Sequence, residues 1–161
     1  MDNSAAGRGH GNAGIIRLMS TGGRHLLLYD GVCGLCDWLV QALLRRARGD
    51  AFDFAALQSQ QAREVLGRFG VNPALLDTVY VVTDYRTATP QLLRKGRAGL
   101  FVATVLGWPW KAAGLLGVLP DGLLDWGYDL VARHRYRVFG RFDQCVLPRP
   151  EHRRRFIDSG Q

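Results

Sequence analysis

The sequence is poor in sulfur, with three cysteines and two methionines in 161 residues. Three cysteines cannot frame a disulfide-scaffold domain, and a chain of this length buries a core without one. Long apolar runs are missing as well. The most apolar stretch, residues 98–110 between Arg97 and Lys111, falls short of the about 20 residues that a spanning helix needs. Pro109 interrupts it, and it reads as a core helix rather than a membrane-surface one. Residues 1–24 hold six glycines and no apolar h-region. They are not a secretory signal, so a disordered leader and a cytoplasmic location are expected. Walker loops, dinucleotide fingerprints, Ser-His-Asp signatures and internal repeats are absent too.

Acidic residues are in the minority, 14 against 21 lysines and arginines, for a net charge of +7. The excess is concentrated. Between Arg133 and Arg155 lie eight arginines and two acids, Asp143 and Glu151, a local charge of +6. No RNA- or DNA-binding motif accompanies them, so nucleic acid is not an expected partner. The segment reads as a solvated basic helix face followed by a basic irregular tail over 141–161, with weak contact to an anionic membrane surface as the alternative.

The remaining pattern is that of one α/β domain over residues 25–140. Residues 25–30 form a continuous apolar run suited to a buried strand. After Gly31, a helix is expected from Cys33 to about Arg48, burying Cys36, Val40, Leu43, Leu44 and Ala47, and stopped by Gly49. Residues 52–57 read as a second strand. Ser59 is an N-cap for a helix lined by Ala62, Val65, Leu66 and Phe69, ended by Gly70 with Pro73 beyond. Residues 79–83 are a third strand and 84–89 a turn, with 91–94 as a short edge strand. Helices then follow over 98–106, 110–118 and 123–139, the last closed by Gly140. Trp108-Pro109-Trp110 reads as a packed helix junction. The order β-α-β-α-β-β-α predicts a four-stranded mixed sheet flanked by helices, thioredoxin-like in architecture, with a helical C-terminal extension.

What stands out is Cys33-Gly34-Leu35-Cys36, placed between the first strand and its helix. A thiol at a helix N-terminus gains from the unpaired N–H groups and the dipole there, which favour the thiolate. Cys33 is therefore expected at the surface as the attacking thiol, and Cys36, one turn on, as the buried resolving thiol. Two-residue spacing permits a disulfide between them. Asp30 is a candidate proton acceptor for Cys36; its other reading is to hydrogen-bond the turn. Asp30 and Asp37 would raise a thiol pKa against the helix effect, so the sign of the net shift stays open.

A C-x-x-C pair also serves zinc, usually with four ligands. The only further candidates are Cys145, His134 and His152, so redox chemistry is the preferred reading. A non-enzymatic zinc-binding or partner-binding module is the alternative. A purely structural pair of thiols is a third, and Cys145 reads as a lone thiol. Arg133, His134 and Arg135 read as an exposed basic helix end, with anion binding as their functional alternative. The redox reading requires no cofactor beyond a Cys33–Cys36 disulfide. Its partners are a protein or small-molecule disulfide and an unnamed electron donor.

The segment Tyr29-Asp30-Gly31-Val32-Cys33-Gly34-Leu35-Cys36-Asp37 resembles the signature of the DCC family of predicted thiol–disulfide oxidoreductases. The family's Asp and two Cys correspond to Asp30, Cys33 and Cys36. Ala132-Arg133-His134-Arg135-Tyr136-Arg137 resembles its distal block, and Cys145-Val146-Leu147-Pro148 with Arg155-Phe156 its ending. The resemblance implies a thioredoxin-like fold and protein-disulfide reductase activity. Thioredoxins place a cis-proline just before the strand facing the dithiol. Here Asp77-Thr78 precede Val79, and Pro73 lies further upstream.

Overall fold

The computed structural model describes residues 23–45, 51–72, 78–143 and 150–158. The expected leader up to residue 22, Ala47, Arg48, Gly49, Pro73, Asp77 and Cys145 lie outside the described residues.

The chain runs β1 (His25–Tyr29), α1 (Gly34–Leu44), β2 (Phe52–Ala56), α2 (Gln60–Arg68), β3 (Tyr80–Thr83), β4 (Gln91–Arg94) and α3 (Lys95–Leu106). A 3-10 segment (Trp110–Val118), α4 (Asp121–Phe139) and a second 3-10 segment (Pro150–Arg155) complete it. The sheet order is β2-β1-β3-β4. β1 pairs parallel with β2 and antiparallel with β3, and β4 pairs antiparallel with β3. This is the mixed, helix-flanked α/β architecture of a thioredoxin-like fold. The first strand is central because its run of apolar residues is covered on both faces. Leu27 and Tyr29 join the core shared with α1 and α3, while Leu26 and Leu28 join the core shared with α2.

Local chemistry sets the ends of the elements. The Ser59 hydroxyl accepts from Ala62 N at 3.2 Å, capping α2. Gly70 (φ 69°) and Gly140 (φ 79°) supply the left-handed backbone that stops α2 and α4. The buried Asp53 carboxylate at the start of β2 is matched by Arg24 at 3.4 Å and Arg86 at 3.1 Å. It also accepts from the Tyr85 hydroxyl, so it pins the turn after β3. α3 lies over the sheet and buries Ala98, Leu100, Phe101, Val102 and Leu106, as expected of a core helix. Among the described residues no helix is long and apolar enough to cross a membrane.

Two features differ from the sequence reading. Trp108-Pro109-Trp110 is not a packed junction: Trp108 is 80% exposed, while Trp110 sets its ring against Trp38 at 5.9 Å. The segment 141–161 was expected as an irregular tail, yet its residues 155–158 lie along the outer edge of β2. Ile157 N donates to Phe54 O at 3.0 Å, and Ala56 N donates to Asp158 Oδ2 at 2.6 Å. Phe156 is buried, with its ring 5.2 Å from that of Phe54. Basic composition concealed this because one of the arginines is itself an anchor: Arg155 donates from Nε to Phe52 O at 3.0 Å and lies over the Phe54 ring, while Arg153 and Arg154 are exposed.

That clasp should be measurable by urea unfolding. Phe156→Ala is expected to cost about 3–5 kcal/mol, as for a buried aromatic. Ser59→Ala should cost about 1 kcal/mol, the loss of one helix cap. Equal, small losses would mean that the end of the chain contributes nothing to the core.

Candidate active site

β1 ends at Tyr29, and Asp30 begins the turn that delivers both thiols. Cys33 N donates to Asp30 O at 3.2 Å, and Val32 N donates to Asp30 Oδ1 at 3.2 Å. Cys33 then takes the N-cap position of α1 in an extended conformation, with no side-chain cap of its own. Cys36 follows one turn later on the inward stripe with Val40 and Leu43. Both cysteines are free thiols.

The electrostatics separate them. The Cys36 thiol donates a hydrogen bond to the Cys33 sulfur, and this is the largest influence on Cys33. Burial opposes it, while the Cys36 and Leu35 N–H groups and the Arg135 charge assist it. The result lowers Cys33 from the ordinary thiol range to about 6, which answers the sign left open by the sequence. Cys36 moves the other way, because it is the donor to Cys33, is buried and faces the negative sulfur. At neutral pH the pair is therefore one thiolate and one thiol.

Asp30 does not stand free beside the dithiol. Its Oδ1 accepts from Gln58 Nε2 at 2.9 Å, and its Oδ2 accepts from Arg135 Nη2 at 3.2 Å and from the Tyr136 hydroxyl. Burial pushes this carboxyl up, but the hydrogen bonds from Tyr136, Gln58 and Val32 N and the Arg135 charge outweigh it. It is held below its ordinary value. A carboxylate so occupied favours the turn-holding reading over that of proton acceptor.

Two sequence expectations are corrected. Cys33 is not at the surface, since it is 0% exposed against 3% for Cys36. The cover is the chain just after α4. Cys33 forms an antiparallel bridge with Arg141, Gly34 N donates to Gly140 O at 3.2 Å, and Phe142 N donates to Val32 O at 2.8 Å. Residues 140–142 thus form a strap over the dithiol turn. The strap also explains Gly34, where a Cβ would lie 2.2 Å from the Phe139 carbonyl oxygen.

The second correction is Arg135, which is not part of an exposed basic end. Arg133 and His134 are exposed, but Arg135 is 6% exposed and closes on Asp30. A sequence signal for this existed. Leu124, Tyr128, Ala132 and Arg135 recur at helical spacing, so Arg135 continues the inward face of α4. Gln58 and Tyr136 carried no comparable signal.

The position of the missing cis-proline is also informative. The Tyr128 hydroxyl accepts from Val79 N at 2.9 Å, which occupies the backbone donor just before β3. Among the described residues no group of three or more His, Cys, Asp or Glu side chains is gathered so as to hold a metal ion.

The chain matches the DCC1-like thiol-disulfide oxidoreductase family over residues 27–141. It is 31% identical over 132 residues to the uncharacterized protein YuxK of Bacillus subtilis, covering 82% of this chain and 93% of that one. It is 33% identical over 125 residues to a chloroplastic DCC family protein of Arabidopsis thaliana, covering 77% and 70%. No solved structure matches it.

Three outcomes are expected from alkylation of the reduced protein. The rate at Cys33 should rise with pH around a midpoint near 6 and level off above it, because only the thiolate reacts. Arg135→Met should move that midpoint upward. Gly34→Ala should displace the strap and speed alkylation of Cys33 by about tenfold, equivalent to about 1.4 kcal/mol of local opening. A slower reaction in Gly34→Ala would show that the strap does not limit access.

Proposed function

The chain belongs to the DCC1-like thiol-disulfide oxidoreductase family, and from that premise we propose that it reduces protein or small-molecule disulfides in the cytoplasm through a Cys33–Cys36 couple. The general activity, thiol–disulfide oxidoreduction, comes with the family. The observation that carries the residue roles is the opposite displacement of the two thiols: Cys33 down to about 6, Cys36 upward.

In this reading the Cys33 thiolate attacks one sulfur of the substrate disulfide. A Cys33–substrate bond forms, the substrate S–S bond breaks, and the departing sulfur leaves with the electron pair and takes up a proton. Charge then disappears from Cys33. The interaction that held the Cys36 proton in place disappears with it, so Cys36 becomes easier to ionise at the moment its attack is needed. It attacks the Cys33 sulfur, closes the Cys33–Cys36 disulfide and releases the second substrate sulfur as a thiol. Arg135 stabilises the negative sulfur in both steps, and Asp30, kept ionised, positions Arg135. Access to Cys33 requires the strap at 140–142 to move aside. An external thiol donor restores the dithiol.

Equilibration in glutathione redox buffers tests the reading. A reversible Cys33–Cys36 disulfide is expected, and Cys36→Ser should accumulate a mixed disulfide at Cys33 because resolution is lost. A pair that never closes under any buffer would sink the proposal. Stoichiometric zinc in protein purified under reducing conditions, lost in Cys36→Ser, would assign the pair to metal binding instead.

A further inference from the structure

The strap covers Cys33 with main chain rather than with packed side chains. Gly140, Arg141 and Phe142 are all exposed, whereas Cys33 beneath them is not. Two bonds hold the strap to the turn: Phe142 N donates to Val32 O at 2.8 Å, and Gly34 N donates to Gly140 O at 3.2 Å. They flank Cys33 and Arg141, which face each other as an antiparallel pair. In this pattern the facing residues exchange no bond of their own, and their Cα atoms are typically about 4.5 Å apart. A disulfide spans Cα separations of about 4.4–6.8 Å. A half-cystine standing where Arg141 stands therefore brings its sulfur within bonding reach of Cys33.

The other main-chain groups around the dithiol are engaged within the site. Gly31 N donates to Gln58 Oε1 at 3.3 Å, Val32 N to Asp30 Oδ1 and Cys33 N to Asp30 O. Across the site, Val79 N donates to the Tyr128 hydroxyl. Val32 O and Gly34 N are the two groups that the strap satisfies, and both lose their partners when it moves aside. An incoming peptide replaces both bonds, so neither group is left unpaired. A disulfide without amides replaces neither.

We propose that residues 32–34 are a strand-pairing site for an extended polypeptide that bears the substrate disulfide, its half-cystine taking the place of Arg141, and that the strap is the resident competitor for this site. The residue before the half-cystine accepts from Gly34 N, and the residue after it donates to Val32 O. Proline is therefore excluded immediately after the half-cystine. The Cys33 thiolate attacks the sulfur of that half-cystine. The substrate S–S bond breaks, and the distal sulfur leaves with the electron pair and takes up a proton from solvent. Cys36 then closes the Cys33–Cys36 disulfide and frees the peptide thiol. The inference rests on the dithiol reading above and keeps its roles for the two thiols.

The test uses the reduced full-length protein and a peptide of the strap sequence, acetyl-Phe-Gly-Cys-Phe-Asp-amide, with its cysteine as a mixed disulfide with thionitrobenzoate. Release of thionitrobenzoate reports attack on the peptide sulfur. Rates are taken where they rise in proportion to peptide, and the reaction of each peptide with dithiothreitol corrects for its own reactivity. N-methylation of the Phe after the cysteine removes the N–H that pairs with Val32 O. N-methylation of the Asp removes one that points away from the pairing edge, by strand alternation. The first should slow the protein by about tenfold, as for one hydrogen bond left unmade, and the second by less than about twofold. Bis(2-hydroxyethyl) disulfide, which has no amide, reports the dithiol alone. Equal rates for all three peptides, or equal slowing by both methyl groups, with that disulfide still reduced, overturns the inference and leaves the dithiol reading standing. Protein inert to every disulfide overturns both. Register is read separately in Cys36→Ser combined with Arg141→Cys, where oxidised glutathione should close a bond between Cys33 and the introduced cysteine. Glutathione held at Cys33 with no such bond overturns the placement of the half-cystine.

Discussion

The buried ion pair between Asp30 and Arg135 is the constraint from which the rest of the site follows. It ties the turn after the central strand to the last long helix at 3.2 Å, with both side chains nearly excluded from water. Removing one partner of such a pair typically costs about 3–5 kcal/mol, because the other charge is left stranded. Here the stranding is avoided by a dense set of donors. Asp30 accepts from Val32 N, Gln58 and Tyr136 as well as from Arg135. The pair sets the register of α4 against the dithiol turn, and α4 in turn delivers the strap. It also keeps a permanent positive charge close to both sulfurs.

Much of the architecture was legible locally. The apolar run of β1, the Ser59 cap and the glycines at 70 and 140 are each decided by neighbours a few residues away, and each element lies where its own chemistry puts it. The dithiol was legible for the same reason, since its spacing is local. What failed was the surroundings of the thiols. Cys33 at a helix N-terminus reads as exposed until residues 140–142 arrive from the far end of the sequence. Arg135 reads as a surface arginine because four other arginines lie between positions 133 and 149, and composition does not show which one faces inward. Helical spacing does show it, once Tyr128 and Ala132 are set on the same face.

Compared with the thioredoxin arrangement, the strand edge beside the dithiol is used differently. A proline there would leave the backbone carbonyls available and supply no N–H. This chain has an N–H at Val79 and satisfies it internally with Tyr128. The Val79 donor at that edge is therefore already taken, while α4 leaves Leu130, Val131, Val138 and Phe139 substantially exposed.

The separation of Asp30 and Arg135 by 105 positions has a consequence for biogenesis. Both cysteines leave the ribosome long before the arginine that pairs with Asp30 and the strap that covers Cys33. Until then the dithiol turn lies open on an unfinished sheet. One late helix brings both the buried positive charge and the segment that closes over the turn.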